Sequence, residues 1–508
     1  METNAKERIT LKTIRRVWSV FFMALFLFFL FSADYSRMKG YQVGLFLQAD
    51  PLVWLAGLFT GWTVYTGLAL ALFIIIPTLF FGRFFCSWVC PLGIMNQWLS
   101  RLLPGRKPTE DFSANEYRPL YRLKYYILAA LLALSIMGSL QIGLLDPIAL
   151  IHRSFIISMM PAADMGMGII YQRPMIYLGG VLIGLIFIAL ILANRQLPRL
   201  WCRMLCPLGA LLGLMSLGSL MRIRRDVDKC TDCNKCLRGC QGACDPQGAL
   251  RVAECHVCMN CIADCPEDAL SFGLPSARSS VHAPLDIHRR RLVETAVAAV
   301  VLYPVMKSSL TGQSVAQASV IRPPGSLEEG DFLRRCIKCA MCMRACPTNV
   351  LQPALLEAGF EGLWTPILVN RIGWCESHCV MCGQVCPTGA IMPLTVQQRA
   401  GTPGKSEAVK LGTAFYDRGR CLPWAMNIEC IVCEEVCPTS PKAIWFEVKE
   451  IRNRDGSTRK LKQPYVDPKL CIGCGICENK CPVRDMAAIR VTSVGETRSK
   501  NNQMILRQ

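Results

Sequence analysis

Four apolar runs set the pattern of the first 220 or so residues, at about 17–31, 62–81, 125–142 and 175–193. Each approaches the roughly 20 residues that a helix needs to cross a bilayer. Polar and basic stretches separate them, so the pattern predicts a membrane α-helical bundle of four spans. The first run follows Lys6, Arg8, Lys12, Arg15 and Arg16, as the core of a signal peptide would. No small-residue cleavage site follows it closely, so it reads as a span. Beyond residue 222 the long apolar runs give way to short cysteine motifs. One apolar stretch interrupts them, at about 296–306.

Loop charge orients the spans. The loop between the second and third carries Arg83, Arg101, Arg106, Lys107, Arg118, Arg122 and Lys124. Arg195, Arg199, Arg203, Arg222, Arg224 and Arg225 follow the fourth. The two opposite loops are poorer in Lys and Arg, so the N-terminus and the segment after the fourth span are expected in the cytoplasm. This placement also accounts for much of the net charge of +19. It makes nucleic acid a poor candidate partner.

The 29 cysteines of the 508-residue chain change the picture most. Almost all stand in Cys-x2-Cys or Cys-x3-Cys runs, many ending in Cys-Pro. Neighbours that close converge on metal more readily than they bridge distant loops. Zinc sites usually join two separate hooks. Four cysteines in one compact run are the mark of bacterial ferredoxins.

The first pair of runs supplies Cys230, Cys233, Cys236 and Cys240, then Cys255, Cys258, Cys261 and Cys265. The second pair supplies Cys336, Cys339, Cys342 and Cys346, then Cys375, Cys379, Cys382 and Cys386. The third pair, with an eight-residue first gap, supplies Cys421, Cys430, Cys433 and Cys437, then Cys471, Cys474, Cys477 and Cys481. In two-cluster ferredoxins the fourth cysteine of each run serves the other cluster. The expected crossovers are therefore Cys265 with Cys230, Cys386 with Cys336 and Cys481 with Cys421. Cys240, Cys346 and Cys437 complete the second cluster of each pair. In the first run Gln241 replaces the usual Pro and an extra thiol, Cys244, follows. Cys244 is an alternative to Cys240, whose spacing is regular. The expectation is six [4Fe–4S] clusters in α+β ferredoxin-like modules. Six in series make sense as a path for electrons.

Two further motifs repeat within the apolar half. FCSWVCPLG holds Cys86 and Cys90, and WCRMLCPLG holds Cys202 and Cys206. Each follows an even-numbered span, which suggests two related hairpins side by side. The four thiols would form an additional iron centre or a redox thiol pair, or else are plain buried cysteines at helix starts. Between the third and fourth spans lie Asp146 and His152. They read either as proton acceptors at the outer membrane face or as part of an ordinary interfacial helix with an N-terminal Asp.

The linker places Arg289, Arg290 and Arg291 before the short apolar stretch, with Ala316 and Ala318 forming a small-x-small site beyond it. Together these read as a twin-arginine export signal inside the chain, although His288 stands where Ser or Thr is usual. The other reading is a surface helix that leaves every cluster in the cytoplasm. Export without cleavage would add a fifth span. The expected domains are 1–222 (membrane bundle), 223–285 (ferredoxin module), 286–325 (linker), and two more ferredoxin modules at 326–400 and 401–508.

With these residues in view, the first 270 or so resemble the NapH-type membrane ferredoxins, through the four spans, the two Cys-x3-Cys-Pro repeats and the module that follows. The remainder, from about Arg289, resembles the NapG-type ferredoxins and their methylamine-utilisation relatives. That resemblance lies in the twin-arginine segment, IRPPG at 321–325, FLRRCIKC, VCPTGAI and CLPWA. It implies a multi-pass protein of the bacterial inner membrane, with the first module cytoplasmic and the later ones periplasmic. It also implies quinol as electron donor and a periplasmic reductase, or a carrier leading to one, as acceptor. No Cys-x-x-Cys-His haem motif is present. No GxxxxGK or convincing GxGxxG points to a nucleotide. Two other functions fit the same residues: transfer from a reduced cytoplasmic donor, and maturation or regulation of a metalloenzyme.

Overall fold

The computed structural model describes residues 2–38, 42–61, 66–102, 113–167, 175–274, 283–307, 320–401, 407–452 and 456–503. The first apolar run lies within a single helix, α1 (Glu2–Ser32). Along it Arg15, Ser19, Met23, Phe26 and Leu30 are buried. They recur every three or four residues and so share one face. The opposite face carries Val17, Trp18, Val20, Phe21 and Phe28, with Val17 66% exposed. In a water-soluble helix that face would be polar.

The chain then forms α2 (Pro51–Gly61), α3 (Leu72–Phe81), α4 (Pro91–Leu102), α5 (Leu123–Ile136), α6 (Pro147–Ser154), α7 (Gly180–Ala193) and α8 (Pro207–Ser216). Among the described residues two stretches are long and apolar enough to cross a membrane, Leu11–Ser32 and Ser113–Ile136. Of the four expected spans, two are found among the described residues. The expected second and fourth spans appear as α3, of 10 residues, and α7, of 14. Both fall short of the bilayer thickness. Residues 62–65 and 168–174, which precede them in the chain, lie outside the described residues. The third run stops at Ile136 instead of near 142, because Gly138 turns the chain with φ 85°.

The linker run forms α9 (Arg289–Lys307), 19 residues long. It is not among the described helices apolar enough to cross a membrane, since three arginines and Glu294 occupy its start. The fifth span is thus not found among the described residues. Ala316 and Ala318 lie outside them.

The chain forms two units. The first comprises Met1–Ser32, Gly40–Met159 and Val181–Tyr303. Within it β1 (Arg222–Arg225) pairs antiparallel with β2 (Leu270–Gly273), closing the first cysteine module. Its core gathers Ile223, Leu250, Ile262 and Leu270 around Cys236, Cys240, Cys261 and Cys265, with Trp88 packed against them.

The basic loop residues hold this module. Arg83 Nη1 donates to Ala253 O at 2.7 Å, Trp88 Nε1 to Val257 O at 2.9 Å and Arg203 Nη2 to Cys240 O at 3.0 Å. Lys12 pairs with Asp264 at 3.0 Å. Glu254 is buried against Lys124, with Arg83 at 3.8 Å and the Tyr125 hydroxyl donating to it at 3.0 Å.

The second unit comprises Ala33–Lys39, Met160–Gly180 and Pro304–Gln508. Here β3 (Leu351–Pro353) pairs with β4 (Pro366–Leu368) between the two cysteine runs of the second module. In the third module β5 (Thr413–Tyr416) pairs with the last strand, and a long hairpin, β6 (Ile444–Arg452) and β7 (Thr458–Val466), stands between the runs. The last strand is β8 (Ile489–Thr492). Two connecting segments from the apolar half belong to this unit. Tyr177 donates to Met343 O at 3.2 Å, Leu178 N to Gln352 Oε1 at 2.9 Å and Asn349 Nδ2 to Ile176 O at 2.8 Å.

Candidate metal centres

Backbone turns aim the thiols. In the regular runs the residues on either side of the second cysteine have positive φ: Asp232 and Asn234, Val257 and Met259, Lys338 and Ala340, Gly473 and Gly475. Only glycine adopts this conformation without strain. In several runs the N–H two residues beyond a cysteine bonds its sulfur. Lys338 does so to Cys336, Met341 to Cys339, Met381 to Cys379 and Ile476 to Cys474. Such donors favour a charged sulfur and help to set the potential of any cluster it holds.

Thiols of one run are electrostatic neighbours of thiols of the other, and some couplings also link the expected sets. Burial pushes Cys336 up to about 11, and Cys386 adds to the shift. Cys386 acts likewise on Cys339 and Cys342. Burial also pushes Cys379 up to about 11, with Cys375 and Cys346 adding to it. Cys346 acts on Cys375 and Cys382 as well. In the third module Cys481 acts on Cys421, and Cys437 on Cys471 and Cys474. Cys430 and Cys433 are neighbours of Cys421, and Cys477 of Cys471 and Cys474.

In the first module Cys265 and Cys230 act on Cys236, which burial pushes up to about 12. Cys240 and Cys255 act on Cys258 and Cys261. Cys233 is exposed, in a small surface cleft shared with Cys230, Cys236 and Cys265. Cys244 lies 3.4 Å from Cys240, Sγ to Sγ, and its thiol also bonds Cys255. Both candidates for the fourth position therefore lie at the same set.

Each set gathers soft, mostly buried thiols whose ordinary charge burial opposes. Iron supplies the compensating charge, because a coordinating thiol is deprotonated outright. The donor chemistry of each run, soft thiol sulfur, suits iron–sulfur ligation. Among the described residues no three His, Cys, Asp or Glu lie close enough together to hold a single metal ion.

The membrane-side cysteines also converge. Cys86, Cys90, Cys202 and Cys206 are all buried and electrostatic neighbours of one another. Cys206 caps α8, accepting from Gly209 N at 3.2 Å, and Gly93 N bonds Cys90 in the same way at α4. Arg83 Nη2 stands 3.9 Å from Cys86 Sγ, and Asn96 Nδ2 is as far from Cys202 Sγ.

The repeat extends further than the cysteine motifs suggest. Asp50-Pro51 opens α2 as Asp146-Pro147 opens α6. Both carboxyls are fully buried, and each caps its helix through two backbone N–H groups. They lie close enough to share a proton. The recurring Asp-Pro before an apolar helix was available in the sequence to find Asp50. His152 Nδ1 donates to Ile148 O at 2.8 Å, and the ring meets the Phe26 ring edge-on at 4.8 Å. These contacts match the ordinary capped helix.

His256 gave no sequence signal. It is buried next to Cys255 with neither ring nitrogen hydrogen-bonded. Burial, then the charges of Arg83 and Arg199, hold it neutral.

Comparison with known proteins agrees with this inventory. A 4Fe-4S binding domain model matches residues 63–110 and again 177–226, which enclose the two membrane-side cysteine pairs. A second 4Fe-4S binding domain model matches 464–484. The methylamine utilization ferredoxin-type protein MauM of Methylorubrum extorquens is 37% identical over 179 residues, 35% of this chain and 74% of that protein. The ferredoxin-type protein NapG of Escherichia coli is 33% identical over 182 residues, again 35% and 74%. The putative electron transport protein YccM of Escherichia coli is 32% identical over 224 residues, 42% of this chain and 58% of its own length. No solved structure matches the chain.

Proposed function

We propose that this chain, which belongs to the MauM and NapG family of ferredoxin-type iron–sulfur proteins, joins a NapH-like membrane part to a NapG-like part and carries electrons from membrane quinol to a periplasmic acceptor. Six [4Fe–4S] clusters form the path, held by the 24 cysteines of the three modules in crossed sets. Cys86, Cys90, Cys202 and Cys206 hold a further iron centre, a reading supported by the 4Fe-4S domain match to both repeats. The terminal acceptor is a reductase or a carrier leading to one. Each thiolate set supplies one-electron chemistry when loaded. The chain's own part is to bury the sulfurs and donate N–H groups to them.

One observation supports a periplasmic place for the later modules. The segments 33–39 and 160–180 belong to the same unit as 304–508. Loop charge assigns both segments to the face opposite the cytoplasm. The four later clusters then share that face, while the first module sits among cytoplasmic arginines. The multi-pass reading rests on the exposed apolar faces of α1, α3 and α7, where Phe73 is 76% and Val181 78% exposed. Patches of that size suit lipid and not water.

A single-cysteine probe tests the arrangement. Lys460→Cys on the exposed hairpin of the last module should react with a membrane-impermeant maleimide in intact spheroplasts, and Lys229→Cys only after lysis. Equal protection of both until lysis would put every cluster in the cytoplasm. A second reading follows from the exposure of Cys233. A cluster there lies at the surface of the first module, open to a soluble cytoplasmic donor.

A further inference from the structure

The second unit contains a cavity of about 690 Å³ that no thiol set fills. Tyr35, Met175, Trp374, His378, Cys379 and Val396 line it. The volume lies within the range of small-molecule sites, which are mostly apolar walls with a few polar groups. That describes this lining: Trp374, Met175 and Val396 supply flat and flexible apolar surface, while Asp34 and His378 supply polar atoms.

The walls are fixed by their own bonds. Trp374 Nε1 donates to Glu376 Oε1 at 2.7 Å, and the Lys480 ammonium lies 4.6 Å from its ring centre. The Ser377 hydroxyl bonds His378 Nδ1 at 2.8 Å, leaving Nε2 for a ligand.

Two placements say which ligand. Asp34 stands two residues beyond Ser32, the end of a membrane-length helix, so one wall of the cavity follows an apolar helix directly in the chain. Cys379, a member of the Cys346, Cys375 and Cys382 set, lines the wall itself. A ligand there touches the sulfur of a redox centre.

We propose that this cavity binds the hydroquinone ring of membrane quinol and delivers its electrons to the cluster of Cys346, Cys375, Cys379 and Cys382. The inference rests on the quinol reading given above and adds the site. Oxidation breaks the two O–H bonds of the hydroquinone and yields the quinone. Two electrons pass one at a time to this oxidised cluster, the first moving on before the second arrives. The Cys375 N–H donates to Cys474 O at 2.8 Å, a direct link toward the next set. Two protons leave to water at the open mouth, where Tyr35 is 54% exposed.

The test uses the full-length, cluster-loaded protein in lipid nanodiscs and a short-chain azidoquinone, with mass-spectrometric mapping of the photolabel. Label is expected on residues 33–38 and 374–384, displaced by unmodified quinone. Met175→Trp combined with Val396→Trp narrows the cavity. It should lower both labelling and reduction of the clusters by quinol at least about tenfold. Dithionite-reduced EPR signals should stay as in the unmodified protein, which shows that the clusters and fold survive. Label confined to other segments, with quinol still reducing the clusters, overturns the site and leaves the quinol reading standing. Unchanged labelling and reduction in the double variant overturns the site as well. If quinol neither labels nor reduces the native protein, the quinol reading fails and takes the site with it.

Discussion

Positive φ on both sides of the second cysteine recurs in four runs, but only one of them uses glycine at both positions. At Gly475, φ 79°, an added Cβ would come within 2.2 Å of the Asn370 carboxamide, which is itself bonded to Glu478. Gly475→Ala should therefore destabilise the last module by about 1–3 kcal/mol, the usual cost of such backbone strain. The readout is its thermal unfolding midpoint with clusters loaded. The crossover of thiols is testable at single residues too. In Cys386→Ser, iron should fall by about four per chain, and Cys336, Cys339 and Cys342 should become open to alkylation. Alkylation of Cys375, Cys379 and Cys382 instead would mean that each run serves its own cluster.

Glu329 gives a pH-dependent case. Burial opposes its charge, but Arg322 at 2.5 Å and Arg498 at 2.8 Å hold its carboxyl down to about 2. A lowered carboxyl stabilises the fold at pH values above its unfolded pKa and loses that contribution as pH falls toward its folded value. Unfolding midpoints should thus drop between about pH 4.5 and 2. Glu329→Gln should flatten that part of the profile, and an unchanged slope would discount the clamp.

Elements differ in how far they could be read. The cysteine runs were legible because Cys-x2-Cys-x2-Cys-x3-Cys spacing is regular, and thiols of paired runs are electrostatic neighbours. Helix ends were less legible. The run at 125–142 is apolar throughout, yet one glycine at 138 ends the helix at Ile136. Helix α2 went unpredicted because it is a short apolar piece set off by Asp-Pro, whereas α6 and α8 were among the alternatives read from Asp146 and from the Cys-Pro pairs. Basic residues read from the sequence as topology markers turn out also to dock the first module. Glu254 is the buried anion they surround, 4% exposed. Glu254→Ala leaves Lys124 and Arg83 without that charge, and removal of one partner from a buried pair costs about 3–5 kcal/mol. The variant should lose the first module's clusters faster in air than the native protein does. Equal loss rates would make the pair incidental.

On the scale of the whole molecule, sequence patterning separated an apolar half from a cysteine-rich half, but the structure divides the chain differently. The first module belongs with the apolar half, and two loops of the apolar half belong with the later modules. Such assignments depend on side-chain bonds such as Tyr177 to Met343 O, which no periodicity reveals. The β6–β7 hairpin lay in a stretch read only as a gap between cysteine runs, since its outer face is polar and exposed. What the whole molecule does depends first on what its thiols hold. Iron and acid-labile sulfide should be measured on the anaerobically purified full-length protein, with EPR of the reduced form. A six-cluster path predicts at least about 24 of each per chain, four per cluster, with [4Fe–4S]-type signals. A correctly folded preparation that holds zinc and little iron would contradict electron transfer through these modules.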